Sequence, residues 1–259
     1  MRWSLTPLPY LKLLLIRHAE SVGNTQKRLE GQSSTPLTER GLWQAQQLAQ
    51  SLVPSASSAQ LASQSASQSA SQSVAQSVDW PTHIYISPLR RAKQTAQPVV
   101  EALVRADCRF QTVVDSQLQE IHQGIFQGLT WLEAQAQFPD LCAQLSASLE
   151  WRPVPGAESP GAARARSRNW LQSIFNKHQA GDTLWVISHA GIMLHLIAEI
   201  MGCDRTWKIA IDHVCAFEFW LSHPPQNSAH PISQLETLNP ERWILHRFNQ
   251  SPLHRPISC

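Results

Sequence analysis

Three polar clusters in this chain each follow a short apolar run and contain histidine or arginine. The clusters are Arg17-His18-Ala19-Glu20-Ser21, Ser87-Pro88-Leu89-Arg90-Arg91 and His189-Ala190-Gly191. Arginine suits the forked recognition of phosphate oxygens, and a neutral imidazole is a good nucleophile near neutral pH. If the three apolar runs are neighbouring strands, the clusters meet at one edge of a sheet. The pattern then indicates an anion site with a nucleophile beside it.

Each cluster also has a simpler structural interpretation. A single histidine after a strand is often structural, Arg17 alone could be a surface charge, and Arg90 and Arg91 could form an exposed first helical turn. The coincidence of three strand ends, each carrying histidine or arginine, favours the functional interpretation.

The elements that must position these clusters alternate along the chain. Short runs rich in branched and aromatic residues predict strands at Leu11–Ile16, His83–Ile86, Thr183–Ile187, Val214–Trp220 and Trp243–Phe248. Apolar periodicity predicts helices at Thr38–Leu52, Leu89–Leu103, Ser159–Lys177 and Ile192–Met201. Thr38 and the pairs Ser87-Pro88 and Ser159-Pro160 are the expected helix starts. This alternation predicts an α/β fold, a three-layer sandwich with a mostly parallel central sheet flanked by helices.

A stretch of Ser, Ala and Gln between Pro54 and Val78 interrupts this alternation. It has too little apolar surface to offset the entropy of ordering it. We therefore expect a single domain over residues 1–259 with a low-complexity surface insertion at about 54–78, a partner-binding segment being the alternative. The proline-containing stretch Phe138–Ser159 is expected to form an excursion that covers the site.

Composition indicates a globular cytoplasmic protein. Hydrophobic residues make up 42% of the chain and charged residues 15%, with a net charge of +2. The five cysteines have no zinc-ligand spacing and imply no disulfide framework, so a reducing compartment is the simplest. The apolar run at Leu11–Ile16 contains Lys12 and is too short to span a membrane.

Neither a metal nor another cofactor is expected. The histidines form no H-E-x-x-H pattern, and none of the 10 glycines belongs to a G-x-G-x-x-G fingerprint. The alternating Arg164, Arg166 and Arg168 are expected to be a solvated helix face, so no nucleic-acid partner is predicted. Oligomeric state is not readable from the sequence.

Four segments, in order, resemble the motifs of the histidine phosphatase superfamily, also called the phosphoglycerate mutase-like family. They are Leu14–Gly41 (LLIRHAESVGNTQKRLEGQSSTPLTERG), Ser87–Ala96 (SPLRRAKQTA), Leu118–Leu129 (LQEIHQGIFQGL) and Val186–Gly191 (VISHAG). Trp243–His254 resembles the usual final strand of that family. The resemblance covers nearly everything from Leu11 onward except the Ser/Ala/Gln stretch.

The resemblance implies a role for each matching residue. His18 resembles the nucleophile that becomes phosphohistidine, and Glu120 resembles the acid that protonates the leaving oxygen and later activates water. An alkoxide leaves poorly without a proton, which explains the need for such an acid. The substrate-binding residues that the resemblance implies are Arg17, Asn24, Arg91, His189 and Gly191, with Arg91 a better match than Arg90 because it directly precedes Ala-x-x-Thr-Ala.

The implied activity is that of a metal-independent phosphomonoesterase acting on a small phosphorylated metabolite. A bisphosphoglycerate-dependent mutase shares the first half-reaction, but such members carry a long insertion after the glutamate motif that Thr130–Pro155 does not resemble. A non-catalytic phosphate-binding relative and a phosphatase of phosphohistidine proteins are further alternatives. His122 is expected to contact substrate or to be structural.

The chain departs from the family pattern at three places. Ser34 and Thr35 precede Pro36 where an aspartate is common, and Phe126-Gln127 stands where an aromatic-acidic pair is common. Gly156-Ala157-Glu158-Ser159 resembles the Pro-Gly-Gly-Glu-Ser turn of the phosphatase members, with one glycine replaced. These departures are expected to affect substrate fit or packing rather than the core roles.

Overall fold

The computed structural model describes residues 10–54, 79–148, 152–206, 209–222 and 243–253. Apart from Pro54, the predicted Ser/Ala/Gln insertion lies outside these residues. The single-domain organisation with that insertion therefore stays a prediction.

Six strands within the described residues form one sheet with the order β3-β2-β4-β1-β5-β6. They are β1 Tyr10–Arg17, β2 His83–Ile86, β3 Gln111–Val114, β4 Thr183–Ser188, β5 Ala216–Ser222 and β6 Trp243–Gln250. The first four strands in this order pair in parallel, and β5 runs antiparallel to both β1 and β6. The prediction of a mostly parallel sheet is confirmed.

Seven α-helices lie in the described part of the chain. They are α1 Val22–Thr25, α2 Glu39–Leu52, α3 Arg90–Arg105, α4 Trp131–Gln137, α5 Pro139–Ala147, α6 Pro160–Lys177 and α7 Ala190–Ile200. The hydroxyls of Thr38 and Ser159 accept hydrogen bonds from the amides of Gly41 and Ala162, so they cap α2 and α6 as predicted.

Alternation along the strands produces two cores, one on each face of the sheet. Leu13 and Leu15 of β1 belong to the core formed with α6 and α7, whereas Leu14 and Ile16 belong to the core formed with α2 and α3. Every residue of β4 is buried, as expected for a central strand covered on both faces. The three-layer arrangement is confirmed.

Helices α4 and α5 lie between β3 and β4 along the chain and pack apart from the two main cores. Thr130 and Glu133 form a reciprocal capping box at the start of α4, and Pro139 is the first residue of α5. Phe126, Ala134 and Cys142 form a small core of their own between these helices. The predicted excursion at Phe138–Ser159 thus begins with a helix, and α4 precedes it.

Other local predictions differ from the structure. The strand β3 was not predicted, because Gln111–Val114 is a short edge strand whose side chains are mostly exposed. Ser87 does not cap α3, which begins at Arg90 after an extended Leu89. Strand β5 begins at Ala216 rather than Val214, because Val214 has a φ of 55°.

The prediction of a solvated face was wrong for Arg164 and Arg166, which are partly buried, whereas Arg168 is exposed. Arg164 and Arg168 form ion pairs with the buried Glu199, and Arg166 forms one with Glu158. These carboxylates hold Arg164 and Arg166 partly out of solvent. Among the described helices, none is both long and apolar enough to cross a membrane.

Gly41 allows α2 to approach the backbone next to the His18 cluster. A Cβ at Gly41 would lie 2.0 Å from the carbonyl oxygen of Glu20, whereas a Cβ at Gly161, in the first turn of α6, has only Ser159 Oγ at 3.9 Å. We expect Gly41→Ala to lower the free energy of unfolding by about 1–3 kcal/mol through this clash. Gly161→Ala, the matched control, should raise it by up to about 1 kcal/mol because alanine favours helix. Denaturant unfolding measures both, and equal effects would contradict the close approach.

Candidate active site

The carboxyl ends of β1, β2 and β4 bring two of the three polar clusters into direct backbone contact with the central strand. The amide of His18 donates to the carbonyl of Ser188, and the amide of Ser87 donates to the carbonyl of Ile187, at 2.9 and 3.0 Å. The rings of His18 and His189 lie 5.0 Å apart between centroids. The sheet therefore gathers the predicted clusters at one edge.

The hydrogen bonds of His18 define which ring nitrogen is available. Nδ1 lies 2.7 Å from the carbonyl oxygen of Ala19, a contact that requires a proton on Nδ1. Nε2 accepts a hydrogen bond from Nε of Arg91 at 3.3 Å. The lone pair of Nε2 therefore faces the guanidinium group of Arg91. An electrophile bound to Arg91 would lie in front of this lone pair.

His18 is kept neutral by its surroundings. Burial lowers the pKa of its imidazole well below the ordinary 6.5, and the positive charges of Arg91 and Arg17 lower it further. A neutral imidazole keeps the lone pair that nucleophilic attack requires. The environment thus favours the reactive form of His18 over a wide pH range.

Arg91 is the buried arginine of its pair and is rigidly held. Its side chain is 1% exposed, and its Nη1 and Nη2 donate to the carbonyls of Ser33 and Gly31 at 2.7 and 2.8 Å. Arg90, in contrast, is exposed at the start of α3. The structure therefore brings Arg91, and not Arg90, to His18.

Glu30 is a buried carboxylate at this site that the sequence analysis missed. It lies 3.8 Å from Nε of Arg91 and accepts hydrogen bonds from Ser21, Asn24 and Thr35. Thr35 is one of the departures noted before Pro36, and this contact gives it a packing role. The sequence did contain a signal for Glu30. It is an acidic residue inside the first motif, directly before Gly31, whose carbonyl accepts a hydrogen bond from Arg91.

His189 is completely buried and presents an unsatisfied ring nitrogen. Its Nε2 lies 2.7 Å from the hydroxyl of Ser87, which also accepts from the amide of Leu89 at 3.4 Å. The Ser87 hydroxyl can either donate to Nε2 or accept from it, and when it donates the ring proton of His189 lies on Nδ1. Within the described residues, that Nδ1 is buried without a hydrogen-bond partner. Burial, with His18 and Arg91 nearby, lowers the pKa of His189 well below 6.5.

Arg17 adds a second, partly buried guanidinium group to the site. Its Nη1 donates to the carbonyl of Ile211, and its Nε is buried without a partner among the residues that the structure describes. Burial lowers the pKa of Arg17, while the carboxylates of Glu120, Asp212 and Glu30 oppose this shift. Arginine remains charged under these conditions. Two unpaired nitrogen atoms, Nε of Arg17 and Nδ1 of His189, thus belong to residues beside His18.

Glu120 sits at the N-terminus of α7 and caps it from another segment. Its Oε2 accepts from the amide of Gly191, and its Oε1 accepts from the amides of Ile192 and Ile121, at 2.9–3.0 Å. This external cap explains why α7 begins at Ala190, two residues before the predicted start. A Cβ at Gly191 would lie 2.5 Å from Oε1, so only glycine admits this contact. The amide of Gly191 is therefore engaged by Glu120.

His213 is a second residue of the site that the sequence analysis missed. Its ring lies 6.1 Å from that of His18, and its Nε2 is 2.9 Å from Oδ1 of Asn24. Asn24 thus lies at the site but is already bonded to His213 and Glu30. Burial and the charge of Arg17 lower the pKa of His213 to about 4. No sequence signal points to His213. It reaches the site through the turn that ends at Val214, and no motif marks this turn.

His122 has a structural contact, since its Nδ1 accepts from the amide of Gly124 at 2.9 Å. A contact with substrate stays an alternative for this residue. Among the described residues, no group of three or more histidine, cysteine, aspartate or glutamate side chains could hold a metal ion.

This fold and site define an α/β protein with a buried histidine–arginine centre for an anion. The sequence matches the model of the histidine phosphatase superfamily (branch 1) over residues 13–69 and 66–223. The chain belongs to this superfamily. The family inferred from the four motifs is confirmed, and with it the class of enzyme, a histidine phosphatase.

Individual relatives are distant in sequence. The chain is 27% identical to phosphoglycerate mutase-like protein 4 of Arabidopsis thaliana over 197 residues, 75% of this chain and 73% of the relative. It is also 27% identical over 200 residues to the metal-independent phosphoserine phosphatase of the same plant, covering 76% and 72%. The solved structure of a putative alpha-ribazole-5'-P phosphatase from Escherichia coli shares the fold, with a TM-score of 0.69 at 20% identity, covering 93% of this chain and 97% of that one.

The buried neutral histidines predict a pH-dependent stability. The unfolded chain takes up protons at His18 and His189 as the pH falls below about 6.5, while the folded protein resists this, so stability is lost in that direction. The wild type should lose unfolding free energy between about pH 7.5 and about pH 5.5. His189→Gln should lose up to about 1.4 kcal/mol less over the same range, because it lacks one of these histidines. Denaturant unfolding of both proteins at the two pH values tests this. An unchanged difference would show that His189 is protonated when folded.

Proposed function

We propose that this protein is a phosphatase that transfers the phosphoryl group of a small phosphate monoester to Nε2 of His18 and then to water, without a metal. The observation that carries this proposal is the geometry of His18, whose Nδ1 donates to the Ala19 carbonyl while its Nε2 lone pair faces Arg91. Membership of the histidine phosphatase superfamily and the phosphatases among its relatives support hydrolysis of phosphate monoesters.

Arg17, Arg91 and His189 bind the phosphoryl oxygens in this proposal. The unsatisfied donors on Arg17 and His189 gain partners when an anion enters, which removes the cost of leaving them unpaired. Fixed positive donors stabilise the charge on the equatorial oxygens of a transferring phosphoryl group. Because Arg91 is anchored by two backbone carbonyls, it does not have to reorganise during the reaction.

Glu120 acts as the acid for the leaving oxygen and then as the base for water. Three backbone amides fix its carboxylate in place. In the first half-reaction the carboxyl group gives a proton to the leaving oxygen, and in the second the carboxylate takes a proton from the attacking water. The same group can thus serve both half-reactions.

Asn24 and Gly191 contribute indirectly in this scheme. Asn24 links Glu30 to His213, and Gly191 admits the carboxylate of Glu120 against the first turn of α7. A direct contact of either with substrate stays a prediction.

A cytoplasmic location also stays a prediction; the four cysteines within the described residues are unpaired.

The phosphatase assignment is tested with 4-nitrophenyl phosphate in the presence of EDTA. We expect phosphate release to persist, and His18→Ala to reduce it by on the order of 10³-fold or more because the nucleophile is lost. Rapid quenching with a radiolabelled ester should trap an acid-labile phosphoryl group on the wild type and none on His18→Ala. His195→Gln, which removes another buried histidine on α7, is the control and should retain activity. Wild-type activity in His18→Ala would refute the proposal.

A mutase is the second candidate, because a relative from Arabidopsis thaliana is named phosphoglycerate mutase-like. With 3-phosphoglycerate and catalytic 2,3-bisphosphoglycerate, a phosphatase releases inorganic phosphate and a mutase produces 2-phosphoglycerate. Predominant isomer formation would replace the phosphatase assignment by that of a mutase. An inert protein that binds phosphate would be a non-catalytic relative.

The acid role of Glu120 predicts a dependence on the leaving group. We expect Glu120→Gln to lower kcat/KM for phenyl phosphate by about 10²–10⁴-fold and to affect 4-nitrophenyl phosphate much less, because nitrophenolate leaves without a proton. A series of aryl phosphates measures this as the slope of log kcat/KM against leaving-group basicity. An equal loss on all members would assign Glu120 another role.

A further inference from the structure

We propose that Arg166 is a positioning residue that holds the Glu120 loop in its catalytic geometry, an inference that rests on the proposed acid role of Glu120. Arg166 lies on α6, and its Nη1 donates to the carbonyls of Gln117 and Gln119 at 2.6 and 2.8 Å. Both residues lie within the three positions before Glu120 along the chain, and Gln119 is its direct neighbour.

The carbonyl of Leu118, which lies between Gln117 and Gln119, is hydrogen-bonded to a different element. The hydroxyl of Ser188, at the end of β4, donates to the carbonyl of the buried Leu118 at 2.8 Å. Three successive carbonyls before Glu120 are therefore hydrogen-bonded to two rigid elements, α6 and β4. Backbone fixed in this way leaves little freedom for the residue that follows it.

Glu158 extends the same arrangement to the far side of the loop. It accepts a two-pronged ion pair from Nε and Nη2 of Arg166 at 2.8 and 2.6 Å, and its amide donates to the carbonyl of His122. Arg166 is thus connected to the backbone on both sides of Glu120. Gly124 makes the approach possible, because a Cβ there would lie 2.1 Å from the carbonyl oxygen of Pro155.

This pattern of contacts requires arginine specifically. One guanidinium edge binds two carbonyls while the other edge binds both oxygens of a carboxylate, a planar fork that the point charge of lysine does not reproduce. Removing one partner of such an ion pair leaves the other unpaired and so lowers stability, whatever the role of the pair. The effect that distinguishes a positioning role is on the position of Glu120, where errors of about 1 Å cost on the order of 10²-fold in rate.

Arg164 is a matched control two residues away on α6. Its side chain is 24% exposed against 18% for Arg166, and it too pairs with a glutamate, Glu199, and donates to one carbonyl, that of Cys203. Glu199 and Cys203 lie at the opposite end of α7 from the amides that bind Glu120. Arg164→Gln therefore removes a similar ion pair without touching the Glu120 loop.

The test compares aryl phosphate series for Arg166→Gln, Arg166→Lys and Arg164→Gln. We expect Arg166→Gln to lower kcat/KM for phenyl phosphate by about 10- to 100-fold and for 4-nitrophenyl phosphate by no more than about threefold, which steepens the leaving-group slope. Arg166→Lys should lie between, and Glu158→Gln should change the slope in the same direction. Arg164→Gln should keep the wild-type slope even if its thermal midpoint falls.

The outcomes separate this inference from the proposed function. If Glu120→Gln steepens the slope and Arg166→Gln does not, the positioning role is refuted while the acid role of Glu120 stands. If neither steepens it, the acid role fails and the positioning role fails with it. Should Arg166→Gln not fold, Arg166→Lys and Glu158→Gln decide by the same slope, and a wild-type slope in both would refute the proposal.

Discussion

The parallel pairing of β4 with both β1 and β2 determines where His18, Ser87 and His189 lie. Parallel strands end at the same edge of a sheet, so Ser87, His189 and His18 lie side by side after β2, β4 and β1. Helices cover both faces of β4, which excludes water from the strand ends from either side. The burial that lowers the pKa values of both histidines is a direct consequence of this packing.

Charge balance is the second constraint on the site. The guanidinium group of Arg91 is buried beside His18 and that of Arg17 is partly buried, and burying a charge is costly unless it is paired. Glu30 and Glu120 act electrostatically on both arginines, while the histidines stay neutral. The site is therefore close to neutral without a ligand and still holds donors on Arg17 and His189 that only an incoming acceptor satisfies. This combination suits binding of a phosphate ester followed by release of the product.

Glu120 lies on the loop after the edge strand β3, and not at the end of one of the three central strands. Its loop crosses to the first turn of α7, and Arg166, Ser188 and Glu158 hold that loop from three directions. Helices α4 and α5 follow the same loop and pack around their own small core. That this part of the chain covers the site stays a prediction.

Local sequence determined the strands β1, β2 and β4, the capped starts of α2 and α6, and the motifs that carry His18, Arg91, Glu120 and His189, because apolar periodicity and capping chemistry act within a few residues. It also contained an unused signal for α4, the Thr130-x-x-Glu133 capping box. Only the tertiary structure decided that Ser87 bonds to His189 instead of capping α3, that Glu30 pairs with Arg91, and that a left-handed Val214 brings His213 to the site. These contacts join residues distant along the chain or depend on a strained backbone, and burial gives them their strength, so no local pattern encodes them.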